Sequence, residues 1–199
     1  MRVLLVRPPR RDFRDTGLCV PPLGLAYVAA SLRKAGRSVQ ILDAYAARWS
    51  WERFEQEVAR RRPDVLGLTA MTPTADLVAK AVRLCRPYVG WTVVGGPHPT
   101  AVRHAIFGQM PGLDAAVVGE GEDIAVELLQ WWENGEGRGE PPAGVLSPGR
   151  AFRDAAPPCI DSLPRPARDL LPISSYRYLF STRRGFGTMI TSRGCPFRC

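Results

Sequence analysis

Val93-Val94-Gly95-Gly96-Pro97-His98-Pro99-Thr100 reads as a buried strand that runs straight into two glycines, two prolines and a helix start. Working outward, the same strand-then-turn pattern recurs. Val3-Leu4-Leu5-Val6, Val39-Gln40-Ile41-Leu42, Val65-Leu66-Gly67-Leu68, Trp91-Thr92-Val93-Val94 and Ala115-Ala116-Val117-Val118 are apolar at successive rather than alternate positions. Strands of that kind are covered on both faces, which is the situation in a parallel sheet.

Helical patterns fill the intervals. The first starts near Pro22, turns Leu25, Val28 and Leu32 inward and stops at Gly36, with proline at the start and glycine past the end. The second follows Ser50, a suitable N-cap, and its Trp51, Phe54 and Val58 share a face. The third follows Thr72-Pro73 and places Leu77, Val78, Ala81 and Leu84 inward. The fourth follows Pro99-Thr100, with Val102, Ile106 and Phe107. The fifth begins near Gly121-Glu122-Asp123, whose acidic first turn suits the helix dipole, and presents Ile124, Leu128 and Leu129 to the sheet. Alternating strands and helices predict an α/β, doubly wound, five-stranded parallel sheet. Ligands of such sheets sit beyond the carboxyl ends of the strands, so the loops at 7–22, 69–72, 95–99 and 119–121 are the candidate site.

Composition narrows the choice. At 199 residues and 45% apolar content, the chain is long enough and apolar enough to fold a full α/β domain with a tail. The formal charge is +8, carried almost wholly by arginine, since Lys34 and Lys80 are the lysines. The arginines are dispersed, which fits a solvated surface or attraction to an anionic ligand. No nucleic-acid recognition motif accompanies them. No run is long enough for a membrane span, and the apolar core at the N-terminus is too short for a signal peptide, so a cytoplasmic protein is expected. The cysteines, Cys19, Cys85, Cys159, Cys195 and Cys199, are odd in number and scattered, which argues against disulfides; Cys85 reads as a packed thiol.

The loops exclude several ligands. Arg7-Pro8-Pro9-Arg10 follows the first strand where a dinucleotide fingerprint would need Gly-x-Gly-x-x-Gly. A phosphate-binding Walker loop is also absent. Leu68-Thr69 stands where a phosphoacceptor aspartate would be required. Gly95-Gly96 either makes a tight turn or lets a bulky ligand approach the backbone. Glu120, between Gly119 and Gly121, is either a hydrogen-bonding ligand residue or the acidic start of a helix. His98, near a helix start, suits a hydrogen-bonding role better than metal ligation, and His104 is expected at the surface.

Beyond Asn134 the chain turns rich in proline and glycine. Residues 134–168 are expected to build no core, except for a small hairpin around Val145 to Phe152 turning at Pro148-Gly149. A strand-like run, Thr188-Met189-Ile190-Thr191, then leads into Ser192-Arg193-Gly194-Cys195.

Taken in order, Pro21-Pro22-Leu23-Gly24-Leu25-Ala26-Tyr27, Val94 to Thr100, Val118-Gly119-Glu120-Gly121-Glu122, Leu163-Pro164-Arg165-Pro166-Ala167-Arg168-Asp169-Leu170-Leu171 and Thr191-Ser192-Arg193-Gly194-Cys195-Pro196-Phe197-Arg198-Cys199 resemble the cobalamin-binding radical S-adenosylmethionine proteins. The resemblance spans the whole chain. It implies a flavodoxin-like cobalamin-binding domain at 1–133, a linker at 134–183 and the start of a radical S-adenosylmethionine barrel at 184–199. It further implies that the nucleotide tail of cobalamin enters near Gly95-Gly96 and the 69–72 loop, with the corrin over the strand ends. The implied contacts are Thr69, Met71, Thr72, Gly95, Gly96, Pro97, His98, Gly119, Glu120 and Gly121. Related cobalamin domains place Asp-x-His-x-x-Gly after the first strand. This chain has Asp12-Phe13-Arg14-Asp15-Thr16-Gly17 there, so no histidine from that loop is expected on cobalt, and His98 is expected as a turn or tail contact.

Cys195 and Cys199 match the first two thiolates of Cys-x-x-x-Cys-x-x-Cys, which implies a 4Fe-4S cluster and S-adenosylmethionine in a longer parent. The third cysteine would fall beyond Cys199, so the chain resembles an N-terminal fragment that is inactive alone. Its parent would most readily be a methyltransferase acting on an unidentified small molecule. The alternatives are a stand-alone cobalamin-carrying or sensing module, and a domain that has lost cobalamin. Gly96→Val is expected to weaken binding while leaving the fold largely intact.

Overall fold

The computed structural model describes residues 1–9, 18–135, 137–178, 180 and 185–194. The five apolar runs form β1 (Arg2–Arg7), β2 (Ser38–Asp43), β3 (Val65–Thr69), β4 (Trp91–Gly95) and β5 (Ala115–Val117). A sixth strand, β6 (Val145–Leu146), completes a sheet of order β2-β1-β3-β4-β5-β6. The first five strands are parallel and β6 is antiparallel to β5. The doubly wound expectation holds, with the chain reversing direction across the sheet between β1 and β3. The sheet has six strands rather than five. Residues 145–146 do not pair within their own hairpin; they pair with Ala116 and Val117 instead.

Alternation along the strands divides the core in two. Leu4, Val6, Leu66, Leu68, Val94 and Ala116 face one side. There they pack against Phe54 and Val58 of α2 (Trp51–Arg61) and Val78, Ala81, Val82 and Cys85 of α3 (Ala75–Cys85). Val3, Leu5, Val65, Val93, Ala115 and Val117 face the other. Their cover is α1 (Leu23–Lys34) and α6 (Gly121–Gly135), through Leu25, Leu32, Ile124, Leu128 and Leu129. Cys85 is a fully buried packed thiol, and burial, with a smaller push from Glu55, drives its pKa up to about 12.

The expected fourth helix is divided. It begins earlier, at Pro97, as α4 (Pro97–Val102), and breaks where Arg103 adopts φ +52°. A 3₁₀ turn then leads into α5 (Ile106–Gln109). Proline needs no amide partner at the first helical position, which lets the helix start directly after Gly96.

Residues 145–176 also contribute more core than their composition suggests. Val145, Leu146, Ala167, Leu171 and Tyr176 are all buried. Tyr176 is fully buried, and its hydroxyl donates to Asp43 Oδ2 at 2.9 Å. Asp43 also accepts from Arg7 Nε and Nη2 at 2.9 and 2.7 Å and from the Ala46 amide at 2.9 Å. Burial alone would lower the Arg7 pKa, but the charge and hydrogen bonds of Asp43 more than offset it and hold it raised. Burial, followed by the Asp43 charge, raises the Tyr176 pKa. An antiparallel bridge between Cys19 and Arg177 fastens the same region to the loop before α1. Residues 188–191 are not in a strand: a strand needs a paired strand beside it, and none pairs with them among the described residues.

Tyr176→Phe keeps the ring and removes one hydrogen bond to a buried carboxylate, so urea unfolding should show a loss of about 1.5–3 kcal/mol. A loss under a few tenths would mean that Asp43 does not hold this segment.

Candidate cofactor site

A cavity of about 520 Å³ lies between the sheet and the α1/α6 pair and reaches the carboxyl ends of β3, β4 and β5. That is within the roughly 300–1,000 Å³ usual for small-molecule pockets. Its walls are aliphatic: Val3, Leu5, Val65, Val93 and Val117 from the sheet, and Leu25, Val28, Leu32, Ala125, Leu128 and Leu129 from the helices.

Two positions in the sheet wall of the cavity carry no side chain. Gly67 pairs with Val93, and Gly95 with Thr69, on adjacent strands. All of these residues line the cavity. A Cβ at Gly67 would come within 2.7 Å of Leu5 Cδ2, so even alanine would push Leu5 aside. A Cβ at Gly95 would meet only Val117 Cβ, at 3.8 Å. Any larger side chain at Gly95 would have to occupy cavity space.

At the rim, backbone hydrogen bonds lock the loops together. The Ala70 amide donates to Gly95 O at 2.8 Å, and the His98 amide to Ala70 O at 3.1 Å. Thr100 Oγ1 donates to Gly96 O at 3.1 Å and accepts from the Gly119 amide at 3.0 Å, joining the β4 and β5 turns. Gly96 sits at φ +103°, and a Cβ there would lie 2.8 Å from Ala70 O. That overturns the expectation for Gly96→Val. A backbone that must move costs fold stability, so the substitution does not isolate binding.

Of the contacts implied by the resemblance, Thr69, Gly95, Gly96, Pro97, Gly119, Glu120 and Gly121 line the cavity. Met71, Thr72 and His98 do not. Met71 is 57% exposed. His98 is buried, with Nε2 2.7 Å from Gln109 Oε1 and Nδ1 3.3 Å from Thr72 Oγ1. Its ring braces α4 against the 3₁₀ turn Thr72–Thr74 and the end of α5. Cys195, Cys199 and the 10–17 loop lie outside the described residues. Among the described residues, no cluster of three or more His, Cys, Asp or Glu could hold a metal ion.

Sequence reasoning missed Gly24, Gly67, Val28, Thr100 and Glu122, all of which line the cavity. Gly67 carried a usable signal, because a glycine inside a strand marks close approach or missing bulk.

Residues 13–129 match the family model described as the B12 binding domain. The chain belongs to the B12-binding domain family. It is 34% identical over its whole length to an uncharacterized methyltransferase of Pyrococcus horikoshii, of which it covers 44%. It is 28% identical, again over its whole length, to the anaerobic magnesium-protoporphyrin IX monomethyl ester cyclase of Rubrivivax gelatinosus, covering 38% of that protein. The chain thus spans less than half the length of these relatives. In fold it resembles the radical S-adenosylmethionine methyltransferase TsrM of Kitasatospora setae, whose structure holds cobalamin and a [4Fe-4S] cluster. There the TM-score is 0.64 at 20% identity, over 94% of this chain and 36% of that one. The cobalamin-binding part of the resemblance read from the ordered motifs is borne out by the family match, and in fold the chain is like a radical S-adenosylmethionine methyltransferase that holds cobalamin. No helix among the described residues is long and apolar enough to cross a membrane.

Gly96→Ala should cost about 1–3 kcal/mol in thermal or urea unfolding, because it combines positive φ with a backbone clash. Gly95→Ala, with ordinary contacts, should lie within about 1 kcal/mol of the parent. Equal costs at the two positions would refute the assignment of the close approach to Gly96.

Proposed function

We propose that the cavity takes the nucleotide tail of cobalamin, and that the chain is the cofactor-carrying N-terminal part of a radical S-adenosylmethionine enzyme, most simply a methyltransferase. The observation that carries this reading is the cavity itself: it is deep, aliphatic and floored by Gly67 and Gly95, and it opens at the strand ends. Such an aliphatic space would suit the aromatic base of the tail. Thr69, Gly95, Gly96, Pro97, Gly119, Glu120 and Gly121 would be the contacts. Gly67, Val28 and Thr100 join them on the ground that they line the same space.

When bound, cobalamin supplies a transferable methyl group. This chain's own residues hold the tail, exclude water from the apolar bore and fix the rim through Thr100 and the Ala70 carbonyl. Met71 and Thr72 belong to the loop that faces the strand ends rather than to the bore, and His98 keeps that loop in place. Cys195 and Cys199 are proposed as two of the three thiolates of a 4Fe-4S cluster in the whole protein, with S-adenosylmethionine on the open iron. Residues 1–133 are proposed as the cofactor domain, 134–183 as a connector packed on it, and 184–199 as the entry to the radical domain.

The parent chain, mixed with hydroxocobalamin and desalted, should retain the corrinoid visible spectrum. Gly95→Val should weaken retention at least about tenfold, the equivalent of 1.4 kcal/mol, while still unfolding cooperatively. His98→Ala should lower the unfolding midpoint and leave the bound corrinoid spectrum unchanged. Folded parent protein that retains no corrinoid would sink the proposal; undiminished binding by Gly95→Val would move the site elsewhere.

A further inference from the structure

Arg193 stands two positions before Cys195, yet its side chain turns back onto the cofactor domain. Its Nη1 donates to Glu120 Oε2 at 2.7 Å and pairs with Glu122 Oε1 at 2.6 Å. The guanidinium also lies over the Tyr27 ring, 4.7 Å from its centroid. Both glutamates line the cavity, and Tyr27 belongs to α1, one of the helices that roof it. One side chain therefore bridges the turn after β5, the first turn of α6 and the roof helix at the rim.

This is not an ordinary surface pair. The Arg193 side chain is 12% exposed and that of Glu122 only 4%. Exposed pairs contribute little. Removing one partner of a buried pair leaves the other charge uncompensated, which is strongly unfavourable. Arginine suits the position because its rigid fork can serve two carboxylates and stack on a ring at once. Burial alone would lower the Arg193 pKa; the hydrogen bond and charge of Glu122, with Glu120 behind it, hold it raised.

Among the described residues, the start of the segment is anchored by Phe186, which packs against the cluster around Leu171 and Tyr176, and by two hydrogen bonds. The Gly185 amide donates to Tyr176 O at 3.2 Å, and Arg168 Nη2 to Thr188 O at 2.6 Å. Between Thr188 and Arg193, the Met189 and Ile190 side chains are exposed, so apolar burial does not hold this stretch down. Its last described tether is Arg193.

We propose that Arg193 is a latch: its hold on Glu120 and Glu122 seats the segment entering the cysteine motif at the rim of the cavity and slows ligand entry and release. This rests on reading the cavity as the cobalamin site. The latch is a positioning device that ties the segment up to Arg193 to the rim of the bore.

The test compares the parent chain with Arg193→Ala, Arg193→Lys and Glu120→Gln. Glu120→Gln weakens the latch at its more exposed partner without stranding Glu122; because Glu120 is also a proposed cofactor contact, this variant reports on the latch through cleavage rather than release, even if Arg193→Ala folds poorly. Each protein is loaded with hydroxocobalamin, and release is followed in the visible spectrum on dilution into a corrinoid scavenger. In parallel, chymotrypsin cleavage after Phe186 or Met189 is timed by mass spectrometry, and unfolding midpoints are recorded. Release and cleavage should both accelerate about tenfold in Arg193→Ala, with a smaller effect on cleavage in Glu120→Gln and partial rescue in Arg193→Lys. Adding Glu122→Gln to Arg193→Ala should accelerate release little further, since the two residues act as one unit. Faster release that merely tracks a lowered unfolding midpoint across all variants would overturn the latch. So would corrinoid retained by the parent with release unchanged in Arg193→Ala. No retention by the folded parent removes the cofactor reading and the gate with it, an outcome distinct from retention without gating.

Discussion

The site depends on one close approach: the Ala70 carbonyl passing over Gly96, where a Cβ would leave 2.8 Å. That contact lets the ends of β3 and β4 dock backbone to backbone. The Ala70 amide reaches Gly95 O, the His98 amide reaches Ala70 O, and Thr100 carries the connection to Gly119 on the next turn. The rim is thus made of main-chain groups that satisfy one another. Side chains are left free to shape the bore, and the bore is shaped by leaving them out at Gly67 and Gly95.

The layer order and strand positions were legible because a doubly covered strand has few ways to be written. The turn glycines were legible for the same reason, as they follow directly on apolar runs. The depth of the site was not. Gly67 vanished into the strand reading, since an apolar run tolerates one glycine without losing its pattern. Its meaning emerges only once it is seen paired with Val93 and packed under Leu5 in the cavity wall. The fourth helix was misplaced because Pro97 and Pro99 signal a turn and a first helical residue equally well. β6 escaped because two residues carry no periodicity; Val145 and Leu146 are defined by Ala116 and Val117 opposite them. The role of Met71, Thr72 and His98 was assigned by loop membership, which does not say which side of a loop a side chain takes.

The arginine-rich composition also resolves into structure. Arg2 pairs with Asp64, Arg33 with Asp169, Arg37 with Glu133, Arg86 with Asp114 and Arg103 with Asp154. Several of these pairs are exposed and add little individually. Two further pairs are different in kind: Arg7 with Asp43 and Arg193 with Glu122 are largely buried. The first ties β1 to β2 and receives the Tyr176 hydroxyl at Asp43, and the second ties residue 193 to the start of α6. The +8 balance is consistent with a surface of dispersed arginines, and the residues with the most structural leverage are the paired ones inside it.

β6 has a consequence for how the chain behaves away from its neighbours. Among the described residues nothing pairs with the outer side of β2, whereas β5 is matched by Val145 and Leu146. An unmatched strand is a template for any passing chain. A piece of this protein cut after α6 would keep the parallel strands and most of the bore, yet bare the amides and carbonyls of β5. Such a piece would be adhesive, pairing with its own copies through that margin. The proline-rich stretch is, in this sense, a selvedge that keeps the sheet from fraying into its neighbours.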